Sequence, residues 1–76
     1  MFIKTVDNRL INADKVVYFE IVPYLNADKA DINAYTEEKS LTIHTDTATN
    51  ANKAFTDMLD ALVADRIKLF DFTRWE

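Results

Sequence analysis

Not one of the 76 residues is glycine, so the backbone has to turn without the residue that takes a positive φ angle at no steric cost. Left-handed positions then fall to Asn and Asp, the other residues that tolerate them readily. The candidates stand at Asp7-Asn8, Asn26, Asp28 and Asp46. The same absence removes phosphate-cradling loops, dinucleotide fingerprints and nucleophile elbows, all of which need a residue without a Cβ where the backbone approaches its ligand or bends sharply.

Hydrophobic periodicity divides the chain in two. Phe2 to Val6 and Leu10 to Ile11 are apolar runs separated by Asp7-Asn8-Arg9, the pattern of a hairpin whose turn uses Asp-Asn in place of Asp-Gly. Val16 to Val22 is a β-branched and aromatic strand, which Pro23 ends or confines to a sheet edge. Residues 26–31, rich in Asn, Asp, Ala and Lys, read as a connection. Ile32–Thr36 and Leu41–Thr45 alternate on either side of the charged turn Glu37-Glu38-Lys39-Ser40, a second hairpin. From Thr47 the period becomes about 3.6, with Ala51, Ala54, Phe55, Met58, Leu59, Leu62 and Val63 on one face. Asp46 or Thr47 supplies the cap, and the helix is expected to stop near Ala64 or Asp65, before Arg66 enters the apolar stripe. Residues 67–72 have strand-like composition that also suits a short helix. The reading is α+β: an antiparallel sheet of about four to five strands, packed on one face by a single amphipathic helix over about residues 47–65, with a short C-terminal strand or helix.

A chain of this length builds one domain and one small core, which association with another copy would stabilise. Its 49% apolar and 29% charged residues place it among globular chains. With no cysteine, disulfides, thiolate metal sites and a cysteine nucleophile are excluded, and a reducing, cytoplasmic setting is expected. The first residues lack the layout of a signal peptide, and no apolar run approaches the ~20 residues of a membrane span. Thirteen acidic against nine basic side chains give a net charge of −4 with the bases scattered, which opposes a polyanionic partner.

The chain resembles a loose group of short bacterial and phage proteins that open with an apolar strand, pass through a Leu-Ile-Asn-like turn into a second, and finish with an alanine-rich amphipathic helix. The residues that carry this are Leu10-Ile11-Asn12, Val16 to Val22 and the helix from Thr47. Asp7-Asn8 stands where Asp-Gly is common in that group. The resemblance includes no catalytic motif, so it implies a fold rather than an activity.

Candidate chemistry is sparse. His44 is the single histidine, and alternation puts it with Thr42 on the more exposed face of its strand, opposite Leu41, Ile43 and Thr45. Glu37-Glu38 and the Asp57 and Asp60 pair read as solvated acids, and 26–31 lacks the glycine and terminal glutamate of an EF-hand. The aromatics say more. Val17, Phe19 and Ile21 are expected to face the helix, leaving Val16, Tyr18, Glu20, Val22 and Tyr24 on the opposite side with Tyr35 as a neighbour. Either the tail bearing Phe70, Phe72 and Trp75 folds over that side or completes the core, or the side is a partner surface to which those residues contribute. The expected function is a non-enzymatic interaction or regulatory module that forms a homodimer through Tyr18, Val22, Tyr24 and Tyr35, without cofactor or metal. The alternatives are a nucleic-acid-binding or host-protein-binding phage-like protein, and an enzyme only if an oligomer assembles a cleft.

Overall fold

The computed structural model describes residues 1–64, 66 and 68–74. Among these residues six strands form two three-stranded sheets around one helix, an α+β architecture as the periodicity indicated. The first sheet has the order β2-β1-β6 and the second β3-β4-β5, for β1 Phe2–Lys4, β2 Leu10–Asn12, β3 Tyr18–Pro23, β4 Lys29–Tyr35, β5 Ser40–Thr47 and β6 Leu69–Asp71. Helix α1, Ala48–Ala64, packs on β3, β4 and β5.

The first hairpin pairs β1 with β2, Ile3 opposite Ile11. Its turn reaches φ 65° at Asn8, one of the positions that the lack of glycine assigned to Asn or Asp. The buried Thr5 organises the loop: its hydroxyl donates to the Asp7 carboxylate and accepts the Arg9 N–H at 2.9 Å. That threonine hydrogen bond, with Arg9 nearby, holds the Asp7 carboxyl below its ordinary value of 3.8. A 3-10 turn at Ala13–Lys15 follows, started by the Asn12 side chain accepting the Asp14 N–H at 3.0 Å.

The charged turn closes as read. The Thr36 N–H donates to the Lys39 carbonyl at 2.8 Å, and the Thr36 hydroxyl oxygen accepts the Lys39 N–H at 3.2 Å. The run 26–31 is only partly a connection, because Lys29 to Asp31 already pair with β3 and β5. Thr47 caps α1 by accepting the Asn50 N–H at 3.3 Å, while Asp46 Oδ1 accepts the Thr47 N–H at 2.7 Å.

Two departures from strict alternation reshape the second sheet. On β5 the register passes from Ile32↔His44 to Asn33↔Thr42, so Ile43 is an inserted residue. Such a bulge puts two successive side chains on nearly the same side. Ile43 and His44 are consequently both buried and Thr45 is exposed, which corrects the expectation of an exposed His44. At the mouth of β3 the Val17 N–H donates to the Tyr35 carbonyl at 2.7 Å, although Tyr18 is the residue in register with Tyr35. Val17 is therefore exposed beside Tyr18, and Val16 takes the inward place expected of Val17, packed against the core with Phe19 and Ile21.

The helix sits rotated from the expected stripe. Ala51, Ala54, Met58 and Ala61 are buried, Phe55 and Leu62 are half-buried, and Leu59 and Val63 are 39% and 87% exposed. Small side chains permit close approach of backbones. The buried line of α1 is mostly alanine and the helix packs on β4, whose Ala30 and Ala34 are buried as well, while the bulkier Leu59 and Val63 point outward.

Residues 68–74 do not cover the outer face of the second sheet, where Tyr18, Val22 and Tyr24 stay exposed. β6 pairs in parallel with β1, Ile3 opposite Phe70, and Phe72 enters the core at 0% exposure. Phe70 packs edge-on against Phe72, with centroids 5.0 Å apart, and Phe72 stacks on His44. Thr73 satisfies Asp71 Oδ1 through its N–H at 2.9 Å and its hydroxyl, which hold the Asp71 carboxyl below 3.8. Phe70 and Phe72 thus belong to the monomer core, and Trp75 lies outside the described residues.

Candidate interaction surface

The outer face of the second sheet follows from the register. Tyr18 lies opposite Tyr35, Glu20 opposite Asn33, Val22 opposite Asp31, and β5 adds Thr42 and Thr45. Of the seven residues expected at the surface, Tyr18, Val22, Tyr24 and Tyr35 are brought together here.

The tyrosines are fixed in place. Tyr18 and Tyr35 stack with centroids 4.3 Å apart and 14° between planes. The Tyr35 hydroxyl donates to Glu20 Oε1 at 2.8 Å, and the Tyr24 hydroxyl donates to Asp31 Oδ1 at 3.0 Å. Asp31 Oδ1 also accepts the Thr45 hydroxyl at 2.7 Å, which ties β4 to both of its neighbours. Donation to a carboxylate favours the neutral phenol, so the Asp31 and Glu20 hydrogen bonds raise the ionisation of Tyr24 and Tyr35 above the ordinary 10.0. Glu20 and Asp31 as anchors for tyrosines were missed in the sequence, where the only signal was their place at even spacing from Tyr18 and Tyr35.

Among the described residues β3 is also a free edge. The Tyr24 N–H donates to the Lys29 carbonyl at 2.9 Å. Antiparallel pairs alternate between bonded and non-bonded, so Tyr18, Glu20 and Val22 turn their backbone groups to β4. Phe19, Ile21 and Pro23 turn theirs outward. Pro23 has no N–H to offer, and its side of the strand is the side where that loss is tolerated.

His44 is the other notable side chain. Its Nε2 lies 3.2 Å from Asp46 Oδ2, so with the carboxylate as acceptor Nε2 carries the proton. Among the described residues Nδ1 has no hydrogen-bond partner. The ring is 1% exposed beneath Phe72, out of reach of a substrate. The described residues contain no group of three or more His, Asp or Glu able to hold a metal ion, and no described helix is long and apolar enough to cross a membrane. An open groove of about 590 Å³ lies between the Ala13–Lys15 turn and the 36–38 turn, lined by Asp14, Glu37 and Glu38 with Lys15 and Val17.

Compared with protein-family models, curated proteins and solved structures, the chain matches none.

Proposed function

We propose that this protein is a non-enzymatic interaction module that self-associates as a homodimer through the β3 side of its second sheet, with Tyr18, Val22, Tyr24 and Tyr35 as contact residues. The stacked Tyr18–Tyr35 pair carries the reading. A half-buried aromatic such as Tyr35, already held by a neighbouring ring and by a hydroxyl anchored to Glu20, loses little conformational freedom on binding. Tyrosine suits such a place because its body is apolar and its tip polar. Glu20 and Asp31 among the tyrosines favour a protein partner over a nucleic acid, whose phosphates they would repel.

The test is sedimentation of wild type and a Tyr18→Asp variant. Tyr18→Asp removes the stack and puts a carboxylate beside Glu20 without touching the buried core. A folded variant whose dimer is weakened tenfold or more supports the surface. An equally strong dimer places the contact elsewhere.

A further inference from the structure

We infer that two copies join edge to edge, β3 against β3 in antiparallel pairing centred on Ile21, to make one continuous six-stranded sheet. The inference rests on the self-association proposed above and specifies its geometry.

The free edge sets the terms. Its outward donors are the Phe19 and Ile21 N–H groups, and its outward acceptors are the carbonyls of Phe19, Ile21 and Pro23. Strand β3 begins at Tyr18, and the Val17 N–H is already spent on Tyr35. A two-fold pairing centred on Phe19 would need Val17 in the ladder and is disfavoured. One centred on Glu20 sets two Glu20 carboxylates directly opposite each other, which is destabilising. Centred on Ile21, the two Ile21 residues exchange both bonds, and each Phe19 N–H meets the Pro23 carbonyl of the other copy. All four outward N–H groups are then satisfied, and the donor that Pro23 lacks is not required of any of them.

The side chains agree with this register. On the inner face Phe19 and Ile21 are only half-buried, as an edge leaves them, and the seam sets Ile21 against Ile21 and Phe19 against Pro23. On the outer face Glu20 falls opposite Val22 and Tyr18 opposite Tyr24, with no like charges facing. Carried past the strand ends, the same register brings Val17 of one copy toward Leu25 of the other. These are 62% and 100% exposed apolar residues within a single chain. The remaining edges suit pairing less. β2 and β6 have three residues each, and β5 already receives the Val6 N–H at its Ile43 carbonyl, 3.1 Å away.

Amide hydrogen exchange, followed from dilute to high micromolar protein with the mass measured in parallel, tests the seam, together with a Val22→Lys variant. In the edge-paired dimer the Phe19 and Ile21 amides slow in step with dimer formation, while the Glu20 amide is slow throughout. Val22→Lys places an ammonium opposite Glu20 of the other copy and tightens the dimer several-fold. A dimer in which Phe19 and Ile21 exchange as fast as in the monomer, or one that Val22→Lys weakens as it would a face-to-face contact, overturns edge pairing and leaves self-association standing. A wild-type chain that remains monomeric overturns both.

Discussion

His44 stacks on Phe72 with ring centroids 4.9 Å apart and 26° between the planes, and this contact ties the C-terminal segment to the bulged strand β5. Phe72 is fully buried in the cluster formed by Ile3, Ile32, Ile43, Ala54 and Met58. Phe72→Ala is expected to cost about 3–5 kcal/mol, by lost burial and the cavity left behind. Urea titration giving a loss below about 1 kcal/mol would mean that the tail is not part of the core.

The rotation of α1 separates two neighbouring residues. Met58→Ala is expected to cost about 2–5 kcal/mol, Leu59→Ala clearly less, and Val63→Ala no more than about 0.5 kcal/mol. Equal losses for Met58 and Leu59 in the same titration would restore the stripe centred on Leu59.

Asn8 is the one described residue with positive φ. Asn8→Ala should destabilise by about 1 kcal/mol, the penalty of a Cβ in the left-handed region, and Asn8→Gly should be neutral to slightly stabilising. A harmless alanine would show that the turn relaxes to another conformation.

Much of this fold was legible because it is local. The hairpin around Asp7-Asn8, the turn at Glu37 to Ser40, the capped helix from Thr47 and the edge signalled by Pro23 each follow from a few consecutive residues. The bulge at Ile43 and the offset at Val17 ahead of β3 were not legible, since one extra residue inverts a two-residue period without changing composition. The place of Phe72 was hidden for a different reason, because β6 pairs with β1 at the far end of the chain. Likewise, the alternation grouped Tyr18, Val22 and Tyr24 on one side, but the carboxylates that hold the tyrosines come from register between strands.

The anchored tyrosines give the sheet an alkaline limit. Their ionisation is raised in the folded chain, chiefly by donation to Asp31 and Glu20, so the stability they contribute is complete below the ordinary 10.0 and is lost as pH rises through the folded values. Wild type should therefore lose stability above pH 10 more steeply than a Tyr24→Phe, Tyr35→Phe double variant. Parallel alkaline profiles would mean that these hydrogen bonds do not persist in solution.

Self-association is tested most directly by sedimentation equilibrium of the wild-type chain from low to high micromolar concentration. The mass is predicted to rise from that of one 8.8 kDa chain to that of two and to stop there, because a two-fold pairing of β3 leaves no second copy of that edge free. A mass that stays at one chain across the range would contradict the account, and so would one that climbs past two without a plateau.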